Sequence, residues 1–339
     1  MKKFNVAVVG ATGAVGVAIR EILEQREFPV ENLYLLASER SAGEKVMFNG
    51  KSVKVTRLDE FDFSQADIAL FSAGGSVSAE YAPIAASAGC VVVDNTSHFR
   101  YDDDIPLVVS EVNPERVADY TNRNIIANPN CSTMQLMVAL KPIQDEVGIE
   151  HINVCTYQAV SGSGQKAVEE LAKQTADLLN AREIKHKVYD KQIAFNVLPN
   201  IDQIQDNGYT KEEMKLVWET KKILEDDSIS VSPTAVRVPV FYGHSEAVHI
   251  RTRSPISEQQ VKMLLQQAPG ITVIDDMQQL DYATPVTHAS GKDDVFVSRI
   301  RRDVGCENGI AMWVVSDNLR KGAALNSVQI AEILVKNHL

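Results

Sequence analysis

The 339-residue sequence contains few cysteines and few basic residues, and each shortage excludes a class of protein. The four cysteines, at positions 90, 131, 155 and 306, form no C-x-x-C pair, so neither a zinc knuckle nor a dithiol redox motif is indicated. Four cysteines in a chain of this length also exclude a disulfide scaffold. Lys plus Arg number 34 against 45 Asp plus Glu, and the net charge of −11 argues against a nucleic-acid partner.

Long apolar runs are absent as well. No stretch approaches the roughly 18 residues that a membrane-spanning helix requires, and the first residues lack the apolar core of a signal peptide. The sequence also has no internal repeat and no low-complexity tract. We therefore expect a cytoplasmic protein with no membrane segment and no bound metal.

The first 130 residues alternate short apolar strands with helices. The predicted strands are Phe4–Val9, Leu33–Ala37, Ile68–Phe71, Val91–Asp94 and Asn124–Ala127, and the predicted helices are Ala14–Gln25 and Ser78–Ser87. This alternation is typical of the α/β class, and it predicts a Rossmann-like, doubly wound parallel sheet.

From about residue 148 the pattern changes to longer strands, several with half-buried alternation. The predicted strands are His151–Val160, Glu246–Arg253, Val295–Arg302 and Ile310–Ser316, and the predicted helices are Gln165–Asn180, Lys211–Glu225 and Gly322–Lys336. These elements predict an α+β domain with a largely antiparallel sheet. We place the first domain at residues 1–129, completed by a C-terminal helix within 319–339, and the second at residues 130–318.

Three glycines follow the first strand and lead into the first helix. Gly10, Gly13 and Gly16 have the spacing G-x-x-G-x-x-G, and the backbone N–H groups of such a loop suit a pyrophosphate. The alternative is a glycine turn needed only for packing. Beyond the second strand, Arg40 and Ser41 favour the 2′-phosphate of NADP, although Glu39 at the same strand end would suit NAD.

Cys131 stands in the first turn of a predicted helix, with Asn130 as its N-cap. Because a helix N-terminus favours the thiolate, this setting indicates a nucleophile. The alternative is a buried structural cysteine, the interpretation that we give to Cys90, Cys155 and Cys306. A thiolate beside a nicotinamide predicts attack on an aldehyde, hydride transfer and a thioester that a second nucleophile resolves, with a histidine as base.

Six motifs together resemble the aspartate-semialdehyde dehydrogenase family of the bacterial type. They are Gly10–Gly16, Ser97–Arg100, Asn128–Thr133, Gln158–Gly162, Arg237–His244 and Asp317–Asn326, and the resemblance extends over essentially the whole chain. It implies the reversible, NADP-dependent reductive dephosphorylation of L-4-aspartyl phosphate to L-aspartate 4-semialdehyde through a cysteine acyl-thioester. This reaction serves the synthesis of lysine, threonine, methionine and isoleucine. The resemblance also implies a homodimer whose small-molecule partners include inorganic phosphate.

The resemblance assigns catalytic and substrate-binding roles to five residues. Cys131 would carry the thioester, and His244, at a loop position before a strand, would be the acid/base. Gln158 would orient the substrate beside the cysteine. Arg237 would bind the substrate carboxylate, since its planar fork suits a carboxylate, and Glu212 would bind the ammonium group.

The resemblance also assigns the phosphate and the cofactor to particular residues. Arg100, Asn130 and Lys215 would hold the phosphate, although Glu212 and Lys215 could equally be a solvated i,i+3 pair. A capping box of Thr210 and Glu213 is predicted to begin their helix. The predicted cofactor-binding residues are Gly10, Thr12, Gly13, Ala14, Val15, Ser38, Arg40, Ser41, Ser161, Gly162 and Asn318.

Two alternative functions stay open. One is another acyl-phosphate reductase, such as N-acetyl-glutamyl-phosphate reductase or glyceraldehyde-phosphate dehydrogenase. The spacing from Arg237 to His244 and the helix that carries Glu212 and Lys215 favour the aspartyl substrate instead. The other is a non-catalytic paralogue, against which the joint presence of the cysteine, glutamine, arginine and histidine argues. The sequence Asn-Cys-Ser-Thr departs from the Asn-Cys-Thr of some branches of the family.

Overall fold

A computed structural model describes residues 2–339 and divides into two compact units. One unit runs to Asn130 and includes Ala323–Leu339, and the other is Cys131–Gly322. Each unit is built on its own sheet, so the predicted α/β class with two different sheets is confirmed. Over residues 2–339, no helix combines the length and the apolar character needed to cross a bilayer.

The first unit contains seven strands and three helices, numbered along the chain. They are β1 (Phe4–Val9), α1 (Ala14–Gln25), β2 (Val30–Ala37), β3 (Lys45–Phe48), β4 (Lys51–Arg57), β5 (Ile68–Phe71), α2 (Gly75–Ser87), β6 (Val91–Asp94), β7 (Ile125–Ala127) and α7 (Leu325–Asn337). The sheet order is β3-β4-β2-β1-β5-β6-β7, and every pairing except β3–β4 is parallel.

Apolar spacing explains how the helices cover this sheet. Ile19, Ile22 and Leu23 share one face of α1 and are buried in a core that also contains Val328 and Leu334 of α7. Each such side chain contributes roughly 1.5–3 kcal/mol by leaving water. Because the strands beside β1 are parallel, their carboxyl ends meet at one edge, where the loops that follow β1 and β2 lie.

The second unit contains eight strands and four helices. They are α3 (Cys131–Val147), β8 (Ile149–Gln158), α4 (Gln165–Leu179), α5 (Lys211–Leu224), β9 (Ser230–Arg237), β10 (His244–Thr252), α6 (Glu258–Gln267), β11 (Ile271–Val273), β12 (Asp275–Asp276), β13 (Asp281–Tyr282), β14 (Val295–Arg302) and β15 (Gly309–Ser316). The main sheet has the order β11-β14-β15-β10-β8-β9. Its three central pairings are antiparallel and its two outermost pairings are parallel.

The helices α3, α5 and α6 pack on the same side of this sheet as one another. Helix α3 contacts β8, β10, β14 and β15, as well as α5 and α6. Ten residues of α3 are buried, from Ser132 to Ile143, which is the pattern of a helix enclosed on most sides. On the opposite face of the sheet, Tyr157, Ala247 and Trp313 are only half-buried.

Several elements differ from the sequence prediction. The hairpin β3–β4 was not predicted because its lysines and serine interrupt the apolar alternation. Strand β9 was not predicted because it contains Pro233, which this strand tolerates at the edge of the sheet. Helix α6 was also missed, although Ser257 and Gln260 form its capping box. Helix α7 begins later than the predicted Gly322, because a π-type turn precedes it.

Candidate active site

Cys131 is the first residue of α3 and is half-buried. The backbone dipoles at a helix N-terminus favour an anion there, which supports a thiolate. Gly322 lies directly against this residue: a Cβ at position 322 would stand 2.8 Å from the Cβ of Cys131. Any larger residue at 322 would have to displace the cysteine, and the sequence analysis gave this glycine no separate role.

The side chain of Gln158, the last residue of β8, connects α3 with α5. Its Nε2 donates hydrogen bonds to Ser132 Oγ over 2.5 Å and to Glu212 Oε1 over 2.9 Å. The other Glu212 oxygen accepts a hydrogen bond from Lys215 Nζ over 2.7 Å, and the same ammonium group donates to Asp202 Oδ2 over 3.1 Å. A continuous polar chain therefore runs from the residue after Cys131 to the predicted phosphate-binding lysine.

The backbone of Ala159 holds two of the predicted site residues. Its N–H donates to His244 Nδ1 over 3.0 Å, and its carbonyl accepts from Arg237 Nη1 over 2.7 Å. Gly162 lies against the same two side chains, since a Cβ there would come within 3.1 Å of Arg237 Nη1 and 3.3 Å of His244 Cε1. The second unit thus brings Arg237, His244 and Gly162 together.

His244 is not the loop residue that the sequence analysis expected. It begins β10 and is fully buried, because its side chain lies on the face of the sheet that α3 covers. Burial, reinforced by the nearby Arg237 charge and opposed by Glu212, lowers the pKa of His244 to about 3. The imidazole is therefore neutral at physiological pH. Since Nδ1 accepts a hydrogen bond, the ring proton is on Nε2.

Asn318 fixes the segment that precedes the histidine. Its Oδ1 accepts from the Gly243 N–H over 2.9 Å, and its Nδ2 donates to Ser161 Oγ over 3.0 Å. Ser161 is buried in a short 3-10 turn, Val160–Ser163. Three of the residues predicted to approach the nicotinamide, Ser161, Gly162 and Asn318, are thus grouped in the second unit.

Glu212 and Lys215 form a buried pair, not a solvated one. Their side chains are 9% and 12% exposed, and the predicted capping box of Thr210 and Glu213 is confirmed at the start of α5. Burial alone would lower the pKa of Lys215, but the carboxylates of Glu212 and Asp202 reverse this effect and raise its pKa. Lys215 is therefore a full cation.

The predicted cofactor residues of the first unit lie at the carboxyl edge of its sheet. Gly10 has a φ of +85°, and a Cβ there would come within 2.9 Å of the Ala73 backbone, so this loop passes directly over the end of β5. The loop continues into α1 through Gly13, its N-cap, with Thr12, Ala14 and Val15 around the helix start. A glycine loop that leads into a helix N-terminus in this way suits a pyrophosphate, which fits a dinucleotide.

A short turn after β2 stands beside the glycine loop. Thr12 Oγ1 donates to Ser41 Oγ over 3.3 Å, while Ser38, Arg40 and Glu39 are exposed. An exposed guanidinium beside two hydroxyl groups fits the 2′-phosphate of NADP. Glu39, the residue that would suit NAD, lies 3.7 Å from the guanidinium of Arg57.

Two predicted phosphate ligands, Arg100 and Asn130, belong to the first unit. Both are buried, and Arg100 Nη2 donates to the backbone carbonyl of Asn95 over 2.9 Å. Lys215, the third predicted ligand, belongs to the second unit. Their joint role in phosphate binding stays a prediction.

The other cysteines only partly follow the expected pattern. Cys90 is buried, and burial raises the pKa of its thiol to about 12. Cys155 and Cys306 are half-buried, so the predicted burial was wrong for both, because Cys155 lies on the less covered face of the sheet and Cys306 in a turn. Their structural role stays a prediction. The site residues that the sequence analysis missed are Ser132, Ala159 and Asp202. Ala159 acts through its backbone, which leaves no signal in the side chain.

Comparison with known proteins identifies the family. Residues 5–120 match the family model described as "Semialdehyde dehydrogenase, NAD binding domain", and residues 140–321 match "Semialdehyde dehydrogenase, dimerisation domain". The chain is 61% identical over 337 residues to the aspartate-semialdehyde dehydrogenase of Shewanella sp. (strain DB6705), which covers 99% of both chains.

Two solved structures extend the comparison. Aspartate semialdehyde dehydrogenase II from Vibrio cholerae, complexed with ASA, is 61% identical and matches all of both chains with a TM-score of 0.98. The Candida albicans aspartate semialdehyde dehydrogenase with NADP is 29% identical, covers 98% of this chain and 99% of its own, and gives a TM-score of 0.76. An identity of 61% over 99% of both chains, together with the two family models, shows that this chain belongs to the aspartate-semialdehyde dehydrogenase family.

Proposed function

We propose that this chain converts L-4-aspartyl phosphate to L-aspartate 4-semialdehyde, reversibly and with NADP, through an acyl-thioester on Cys131. The proposal rests on four predicted site residues that are grouped in the second unit: Gln158, Glu212, Arg237 and His244. Gln158 donates hydrogen bonds to Ser132, the residue after Cys131, and to Glu212. Arg237 and His244 are both hydrogen-bonded to the backbone of Ala159. Family membership gives the reaction, which serves the synthesis of lysine, threonine, methionine and isoleucine.

The first step is the attack of the Cys131 thiolate on the acyl carbon. The sulfur–carbon bond forms, the bond from carbon to the phosphate oxygen breaks, and phosphate leaves with the electron pair. The helix N-terminus at Cys131 stabilises the thiolate, and Arg237 binds the substrate carboxylate through its guanidinium. The glycine loop and the turn at Ser38–Ser41 would hold NADP, and the bound reduced cofactor would supply a hydride for the thioester.

His244 can donate a hydrogen bond from Nε2 to the reacting group. In the neutral ring this nitrogen carries the N–H, and the described residues offer it no hydrogen-bond partner. The N–H can therefore stabilise the oxyanion of the reacting carbon by donating a hydrogen bond to it. In the last step the oxyanion re-forms the carbonyl, the carbon–sulfur bond breaks with its electron pair left on sulfur, the aldehyde forms and the Cys131 thiolate is restored.

We further propose a homodimer, inorganic phosphate as a substrate of the reverse reaction, and a cytoplasmic location. The half-buried sheet face around Tyr157 and Trp313 supports a dimer, since a second copy would cover it. Lys215 supports phosphate binding through its charge, with Arg100 and Asn130 as the partners assigned above. None of the four cysteines is in a disulfide, which fits a reducing compartment.

The test is the formation of NADPH from NADP and L-aspartate 4-semialdehyde, measured with and without phosphate. We expect turnover only when phosphate is present, and a preference for NADP over NAD. The variant Cys131→Ala should lose nearly all turnover and still bind NADP, whereas the control Cys155→Ala should keep both. Phosphate-independent turnover, or full activity of Cys131→Ala, would rule out this mechanism.

A further inference from the structure

Glu246 is a buried carboxyl group near the site that the mechanism above does not use. It stands two residues after His244 on β10, and side chains alternate along a strand, so both lie on the face that α3 covers. Across the sheet, Glu246 is paired with Thr156 of β8 and Val314 of β15, and it is fully buried. A titratable group therefore lies in the row of side chains next to the site histidine.

Gln135 connects this buried row to the helix that carries the nucleophile. It stands four residues after Cys131, so the two side chains lie on one face of α3, about one turn apart. Its Oε1 accepts a hydrogen bond from Ser316 Oγ over 2.8 Å, and Ser316 is paired with His244 across the sheet. Gln135 therefore links the start of α3 to the sheet beside His244.

Three groups around Glu246 have buried atoms with no hydrogen-bond partner among the described residues. They are both carboxyl oxygens of Glu246, Nε2 of Gln135 and Oγ1 of Thr156. Burial raises the pKa of Glu246 well above 4.5, the Gln135 amide opposes this rise, and no neighbouring charge contributes. The other titratable side chains that β8, β10, β15 and α3 place on this face are His244 and Cys131, and neither is a cation at neutral pH.

A protonated Glu246 suits these neighbours because it brings no charge. Its carbonyl oxygen can accept from the Gln135 amide, and its O–H group can donate to the Thr156 hydroxyl. A carboxylate could accept from the same two groups, but it would be a buried charge with no cation to compensate it. We propose that Glu246, kept as the neutral acid, and Gln135 are positioning residues that hold the start of α3, and with it Cys131, on the sheet.

The position of this helix start matters for the nucleophile. The backbone N–H groups there stabilise the Cys131 thiolate, and they do so only while they point toward the sulfur. Without Glu246, Gln135 would be held by the Ser316 hydrogen bond alone, and the first turn of α3 would be less well fixed. The inference rests on the role of Cys131 in the function proposed above.

The test measures the reactivity of Cys131, because this readout needs no substrate. Glu246→Met keeps the approximate size of the side chain and removes its hydrogen bonds, whereas Glu246→Gln keeps a carbonyl oxygen and a donor and cannot ionise. We expect Glu246→Met to slow the alkylation of Cys131 by iodoacetamide about three- to tenfold, the effect of one lost hydrogen bond. The pH at which alkylation is half-maximal should also rise. Glu246→Gln should match the unsubstituted protein in both respects.

Two further measurements test the protonation and the link to α3. The infrared difference spectrum between the unsubstituted protein and Glu246→Gln should contain the C=O stretch of a protonated carboxyl group at neutral pH. Gln135→Met should also slow alkylation, and the double variant Gln135→Met/Glu246→Met should be no slower than Gln135→Met alone. The control Gln174→Met removes a buried amide that bonds to Glu170 and to the segment 185–194, and it should leave alkylation unchanged.

Normal alkylation of Cys131 in Glu246→Met would overturn the inference. An equal loss in Glu246→Gln and Glu246→Met would also overturn it, because the negative charge of Glu246 would then be what Cys131 requires. Additive losses in the double variant would show that Gln135 and Glu246 act separately, which contradicts the proposed link. If the unsubstituted protein shows no phosphate-dependent turnover, the proposed function itself fails, whereas the alkylation rates still test the position of Cys131.

Discussion

The backbone N–H of Ala159 donates a hydrogen bond to Nδ1 of the fully buried His244 over 3.0 Å. This contact determines which nitrogen carries the proton, and burial keeps the ring neutral. A neutral imidazole with its N–H at Nε2 is a hydrogen-bond donor at that nitrogen. The main-chain amide of Ala159 therefore determines that Nε2 donates a hydrogen bond at this site.

The first prediction concerns this histidine. His244→Asn should lower the turnover about 10²- to 10⁴-fold, the usual contribution of a general acid or base. The KM for substrate should change little, because Arg237 and Glu212 stay in place. Steady-state kinetics check the result, and the exposed His186→Asn is the control. A loss below tenfold would contradict the assigned role.

The pH dependence of stability follows from the same residue. An unfolded histidine has a pKa near 6.5, whereas the pKa of His244 is about 3 in the folded protein. Between these two values the unfolded chain binds more protons, so acid favours unfolding by up to about 1.4 kcal/mol per pH unit. Urea unfolding of His244→Asn between pH 4 and 6.5 should therefore show a weaker loss of stability on acidification than the unsubstituted protein. Parallel curves would contradict this prediction.

Glu246 should have the opposite effect. It is fully buried on β10, and the nearby polar side chains are the neutral Gln135 and Thr156. Burial raises its pKa well above 4.5, so the native state retains a proton that the unfolded chain releases as the pH rises. Glu246→Gln should thus gain stability over the unsubstituted protein between pH 5.5 and 8.5. Urea unfolding measures the gain, and the exposed Glu307→Gln should show none.

We predict that the absence of a side chain at Gly322 is required for the position of Cys131 in the site. Its replacement by alanine would place a Cβ 2.8 Å from the Cβ of Cys131, and overpacking of this kind costs about 1–3 kcal/mol. We expect Gly322→Ala to slow both turnover and the alkylation of Cys131 by iodoacetamide. At Gly305 the nearest atom would lie 3.5 Å away, so Gly305→Ala serves as the control. Normal alkylation of Gly322→Ala would show that the cysteine has room to move.

Arg40 tests the assignment of the cofactor. The residue is exposed beside Ser38 and Ser41 at the carboxyl edge of the first sheet. Arg40→Ala should raise the KM for NADP about tenfold or more and leave the KM for NAD unchanged, because only NADP has the 2′-phosphate. The exposed Lys51→Ala is the control. An equal change for both cofactors would place the 2′-phosphate elsewhere.

Local sequence determined the elements with strong local signals. The predicted bounds of β1, α1, β5, β6 and β14 agree with the structure. Runs of apolar residues, and the glycines that end them, are patterns of neighbouring residues and can therefore be recognised in the sequence. The capping box at Thr210 could also be predicted, because its two residues lie three positions apart in the sequence. Strand β9 was not, since Pro233 argues against a strand unless its edge position is known.

The catalytic residues depended on a different kind of information. Cys131 could be selected from its position at a helix start, and family motifs supplied Gln158, Arg237 and His244. No local pattern predicts that His244 is buried, that Gln158 bonds to Ser132 and Glu212, or that Asp202 reaches Lys215. These contacts join residues far apart in the chain, and they exist only after β8, β9 and β10 have paired and α3 and α5 have packed on them.

The charged residues likewise separate what the sequence determines from what the tertiary structure determines. The sequence by itself determined two sheets, an acidic surface on average, and a chain whose few cysteines exclude a disulfide scaffold. Only the tertiary structure decided where the charges act, because folding buried Lys215 between two carboxylates and placed Arg237 and Asp202 on one cavity. The physical reason is that charge interactions depend on distance and burial, and composition contains neither.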